Sequence, residues 1–141
     1  MQNSKFTPIA KVRKQQRDMV ETHLARARFE KKELKSEFSS TCKEIDETKI
    51  PTSGDISLMN MTRERLAIIR KAKNALSEKL YIKKEEIKQL QESYKRANIE
   101  FEKIKYLEEQ DFQEWMEKIK KEEQLDMDEI SNMLFVNKDL K

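Results

Sequence analysis

Glycine occurs once in this 141-residue chain, proline twice, cysteine once and histidine once. Each scarcity excludes something. A single glycine cannot build the Gly-rich loop that cradles nucleotide phosphates, so the chain is not expected to hydrolyse nucleotide itself. A lone cysteine, Cys42, has no internal disulfide partner, which suits a reducing compartment. Turn residues are too few to fold the chain into stacked layers, and no regular turn signals or period-2 runs support a β fold. The longest apolar runs, LAII at 66–69 and MLFV at 133–136, are four residues long, far short of a membrane span. The opening MQNSKFTPIAKVRKQQ carries no apolar signal region, so a cytoplasmic location is expected.

What remains is charge and helical rhythm. Charged residues make up 40% of the chain and hydrophobic ones 36%, with a mean hydropathy of -0.96. That balance suits either disorder or a long coiled helix, and periodicity decides between them. Leu66, Ile69, Lys73, Leu76, Leu80, Lys83, Ile87, Leu90, Tyr94, Ala97, Phe101 and Ile104 step by alternate threes and fours, a rhythm only helix produces. Val20, Leu24, Ala27, Lys31, Leu34, Phe38, Thr41 and Ile45 form a second such seam. Upstream of it, Ile9, Val12 and Gln16 reach Val20 only through a stutter.

The backbone breakers sit together in KIPTSGDIS, residues 49–57. Pro51 disfavours helix at Ile50, Gly54 permits a positive φ, and Thr52, Ser53 and Asp55 offer turn-forming side chains. Thr7-Pro8 marks a helix start, with the hydroxyl as cap and the proline in the first turn. The expectation is an all-α, antiparallel two-helix coiled-coil hairpin in one domain over 1–141. Helix 1 covers about 7–47, the turn region about 48–57, and a longer helix 2 about 58–135. At ~1.5 Å per residue the two arms would reach roughly 60 and 120 Å.

Register follows from charge. Setting Phe38 against Leu66 would bring Lys31 onto Lys73, whereas sliding by one heptad sets Ile45 against Leu66 and Leu24 against Ile87, with Ile9 close to Phe101. The slid register also puts Lys83 opposite the small Ala27, its stem on the seam and its head in water. Helix 1 is then exhausted near Ile104. Residues 105–141 project, carrying Phe112, Trp115, Met116, Ile119, Met127, Ile130 and Leu134 at helical spacing. Such a stripe needs another surface to cover it.

Other constellations read as solvated helix face. His23 lacks catalytic or ligating company, and the doublets Glu85-Glu86, Glu108-Glu109 and Glu122-Glu123 have no walled pocket to converge in. DMDEI at 126–130 lacks the glycine of a calcium loop. No metal or cofactor is expected, and no enzymatic activity. The charge is polarised: residues 1–35 carry a net +6 and residues 108–141 a net -6. The basic start, including Lys11, Arg13, Lys14 and Arg17, could neutralise phosphates, but no nucleic-acid module accompanies it and the acidic tail opposes it. A protein partner is the better reading, with self-association through the tail as the alternative and nucleic acid the weakest.

Two stretches, YKRANIEFEKIKYLEEQ at 94–110 and KKEEQLDMDEI at 120–130, resemble the second helix of the FliJ family. KFTPIAKVRKQQRDMVETHLARARFEKKELKSE at 5–37 is similar to that family's phenylalanine-led basic start. The resemblance implies a soluble, non-enzymatic coiled-coil adaptor of the flagellar type III export apparatus, working in bacterial flagellum biogenesis and motility. It implies three partners: the export ATPase, the export gate protein and export chaperones. It further implies a cytoplasmic protein that meets the inner membrane only peripherally, through that apparatus. By position, the ATPase end would be Phe6, Lys11, Arg13, Phe112, Trp115, Met116, Ile119, Ile130 and Leu134. The gate-facing tip would be Ile45, Ile50, Ile56, Leu58 and Met59, within 45–66.

Overall fold

A computed structural model describes residues 4–139, which form two helices: α1, Thr7–Glu47, and α2, Ile56–Asp139. The class is as the periodicity requires, all-α, with α1 antiparallel to a longer α2. The first helix keeps its expected bounds; α2 starts two residues earlier than 58 and runs four beyond 135.

Local chemistry sets the ends. The Phe6 carbonyl accepts from the Ala10 N–H at 2.8 Å, so Phe6 occupies the cap position and Thr7 is already the first helical residue. The hydroxyl that serves this start belongs to Ser4, whose Oγ accepts from the Phe6 N–H at 3.2 Å, and not to Thr7 as its type suggested. Pro8 still falls in the first turn, where its missing N–H costs nothing. At the other end, the Thr48 N–H donates to the carbonyls of Glu44 (3.1 Å) and Ile45 (3.3 Å), and its hydroxyl bonds Glu44 O at 2.8 Å. The chain then leaves the helix ahead of Pro51. Gly54 has φ 122°, a region L side chains rarely adopt. Asp55 caps α2, its Oδ1 accepting from the Ser57 N–H at 3.1 Å.

Packing divides the chain into two units. One holds Asp18–Arg96; the other holds the chain up to Arg17 together with Ala97 onward. In the Asp18–Arg96 unit the core is Leu24, Ala27 and Ile87 with Leu90 against them, and Leu66 and Ile69 are buried further along the seam. Leu24 packs with Ile87, which is the slid register, and the ion pairs Glu30–Lys83 and Glu44–Arg65 span the helices in the same sense. Every seam position expected from Val20 to Ile45 and from Leu66 to Ile104 is buried or half-buried.

One detail of that seam differs. Lys83 does not send its head to water. Its side chain is only 16% exposed, and Nζ meets Glu30 at 2.5 Å and Glu86 at 2.9 Å. The hydrogen bond to Glu30, then the hydrogen bond to Glu86, with the charges of Glu86 and Glu30 behind them, raise the Lys83 pKa; the Lys83 hydrogen bond and charge lower that of Glu30.

The other unit revises the start of α1. Ile9 and Val12 face outward, 41% and 51% exposed, and Gln16 is exposed as well. The inward positions are Phe6, Ala10, Arg13 and Arg17, which continue the Val20 heptad backward without any stutter. Apolar side chains were a misleading guide here, because an arginine serves the seam by lying on an aromatic ring. The Arg17 guanidinium carbon sits 4.5 Å from the centroid of Phe101, and its Nη1 approaches Asn98 Oδ1 at 3.4 Å. Ile9 is therefore not the residue packed near Phe101. Ala10 and Phe101 are the two buried side chains of this unit, each 7% exposed.

Candidate functional site

The grooves on the described residues are open and lie along the helix faces. Among the described residues no three His, Cys, Asp or Glu side chains converge as metal ligands would. His23 is exposed, and Cys42 is a half-buried free thiol. The residues expected to meet partners lie at two places.

The first place is the unit containing both the start of α1 and the far part of α2. The packing of α1 here extends further than Ile104. The Ser4 hydroxyl donates to Asp111 Oδ2 at 2.6 Å, across 107 residues of sequence. Ile104, Glu108, Asp111, Trp115 and Ile119 are all half-buried, whereas every residue from 120 to 138 is exposed. The unpartnered stretch thus begins at about residue 120, not at 105. The residues just before α1 contribute: the Ser4 hydroxyl reaches Asp111 on α2, and Phe6 is half-buried.

Within this unit, Phe6 and Arg13 are half-buried on the seam side, while Lys11 is exposed. The Lys5 ammonium lies 5.2 Å from the Phe6 ring. Arg13 Nη1 donates to Gln16 Oε1 at 3.2 Å. On α2, Phe112 and Trp115 form a tilted aromatic pair with centroids 6.0 Å apart. Phe112 and Met116 remain 42% and 38% exposed. Trp115 and Ile119 turn toward the seam. Beyond them Leu125, Met127, Ile130, Met133, Leu134, Phe135 and Val136 are each more than half exposed. The nine residues expected at this end therefore fall into three groups: seam (Phe6, Arg13, Trp115, Ile119), rim (Lys11, Phe112, Met116) and free stripe (Ile130, Leu134). Ser4, Arg17 and Asp111 were not anticipated. A heptad count carried back from Val20 finds Arg17 and Arg13; nothing in the sequence signals the Ser4–Asp111 bond.

The second place is the link between the helices and its flanks, in the Asp18–Arg96 unit. Ile50, Ile56 and Leu58 are exposed, Ile56 at 73%, while Ile45 and Met59 are half-buried and belong to the seam. Met61, within the same 45–66 tip, is 64% exposed.

Comparison with known proteins adds one finding. A family model described as "Flagellar FliJ protein" matches residues 1–140, nearly the whole chain. Neither the curated proteins nor the solved structures gave a match.

Proposed function

From the premise that the chain belongs to the FliJ family, and so to the components of the flagellar export apparatus, we propose that it is a non-enzymatic adaptor. In this reading it couples the export ATPase ring to the export gate and escorts export chaperones. The observation that carries it is the exposed apolar stripe from Met127 to Leu134, which α1 does not reach to cover. A helix with such a face is marginal alone and gains order from a partner. The end formed by Phe6, Lys11, Phe112 and Met116 with that stripe meets the ATPase, and the exposed Ile50, Ile56 and Leu58 face the gate. No helix among the described residues is long and apolar enough to cross a membrane. Association with the membrane is then peripheral and runs through the apparatus, from the cytoplasm.

The test compares stimulation of a flagellar export ATPase by the full chain and by chains ending at Ile119 or at Ile104. Stimulation lost on ending at Ile119 assigns the ATPase contact to the exposed stripe. Stimulation retained there but lost at Ile104 moves it to the aromatic rim around Phe112. Absence of stimulation by the full chain defeats the reading. The same stripe also supports self-association, which concentration-dependent light scattering of the full chain, abolished by ending at Ile119, would establish instead.

A further inference from the structure

The two long sides of the Asp18–Arg96 unit are chemically unlike, and one of them has the makings of a third seam. Step one residue back from each seam position of α2 and the chain reads Leu58, Met61, Arg65, Ile68, Ala72, Ala75, Lys79 and Ile82. The spacing alternates three and four, with apolar residues at six of the eight places. Leu58, Met61, Ile68 and Ile82 are 52%, 64%, 70% and 64% exposed. This is a complete amphipathic stripe with nothing on it. Its middle, Ala72 and Ala75, is small enough for another helix to approach closely.

The same step on α1 reads Glu30, Glu33, Glu37, Ser40, Glu44 and Glu47. Antiparallel geometry brings the two stripes to one side of the pair. A single groove is lined by Glu30, Glu33, Leu34 and Glu37 from α1 and by Lys79, Ile82, Lys83 and Glu86 from α2. Arg65 pairs with Glu44 across it at 3.8 Å. The groove therefore sets the apolar Leu34 and Ile82 beside an acidic wall on α1, in which Glu30 is paired with Lys83 while Glu33 and Glu37 are exposed.

The opposite side is less apolar along α2 and carries basic residues. One residue forward of the α2 seam stand Arg63, Ala67, Arg70, Asn74, Ser77, Tyr81 and Lys84, and α1 brings Arg28, Lys32 and Lys35. The groove there is lined by Glu21, Leu24, Ala25, Arg28, Gln91, Tyr94 and Lys95. An apolar heptad confined to one side, beside a wall of one charge, is not what a uniformly solvated hairpin requires.

We propose that this groove binds an amphipathic helix of a partner protein, apolar along one stripe and flanked by Lys or Arg, to make a three-helix bundle. The apolar stripe sets the fold of the ligand, and the acidic wall sets its charge. Charge also excludes the tail of a second copy, since residues 108–141 are net acidic. The inference does not depend on the export reading, because its residues lie outside the ATPase end.

The probe is a synthetic helical peptide with Leu and Ile at heptad positions and Lys flanks, compared with a twin bearing Glu flanks. Binding to the full chain is followed by fluorescence anisotropy. The Lys-flanked peptide should bind at least tenfold tighter than its twin. Ile68→Ser with Ile82→Ser should weaken it at least tenfold, and Glu33→Lys with Glu37→Lys should reverse the preference between the twins. Arg70→Ser with Lys84→Ser, on the other side, should change nothing. These positions are exposed, and unchanged circular dichroism confirms that each variant folds. Equal binding of the twins, or indifference to the groove substitutions, overturns the proposal. A dimer of the full chain that the Ile68 and Ile82 substitutions return to monomer also overturns it, by giving the groove to a second copy.

Discussion

Lys83 holds two carboxylates at once from a position in the apolar seam, and its energetics are therefore written in pH. Glu30 has a lowered pKa, so its contribution is present above the ordinary carboxylate value of 4.5 and is lost as pH falls through the lowered folded value. Lys83 has a raised pKa, so its contribution is present below the ordinary value of 10.5 and is lost as pH rises through the raised one. Lys83→Met keeps an unbranched stem in the seam and removes the charge. The gap in melting temperature between wild type and this variant should stay level between those two values and change on acidification below the first. A gap that ignores acid would show that the stem alone matters. Arg17 makes a related point: a cation can fill a seam position where an aromatic face receives it.

At the scale of the helix, position in the heptad outranks hydrophobicity. Leu24 is 6% exposed in the Ile87 cluster, while Val12 is 51% exposed on the outside of the same helix. Leu24→Ala should cost about 2 kcal/mol or more, and Val12→Ser less than ~0.5 kcal/mol, by denaturant midpoint. A pattern reading that counts only apolar residues ranks the two alike.

The same logic marks how far the sequence could be read. The reversal was legible because its breakers have no other use. The register was legible because two lysines would otherwise meet. The seam from Val20 to Ile104 was legible because threes and fours admit one answer. The first turns of α1 were not, since Ile9 and Val12 advertise a seam that Ala10, Arg13 and Arg17 occupy. The reach of the paired region was missed for another reason. It depends on a hydrogen bond from Ser4 to Asp111, and a serine and an aspartate 107 residues apart carry no mutual signal. Of the residues expected at the two ends, periodicity found the helical stripes but could not sort inward positions such as Trp115 and Ile119 from outward ones such as Ile130 and Leu134.

For the molecule as a whole, the chain between the helices does more than reverse direction. Thr48 to Asp55 is the one covalent tether between two helices whose shared core is thin: among the described residues seven side chains are buried, with Ala27 at 2% the most enclosed of them. The tether supplies each helix to the other at an effective concentration of order millimolar. Its residues 52–55 are exposed, so a protease can reach them. A cut there breaks no seam contact, yet it turns an intramolecular association into a bimolecular one. The intact chain should melt at the same temperature at any dilution; the nicked protein should melt lower as it is diluted, its two pieces parting as strands of an unlinked duplex do.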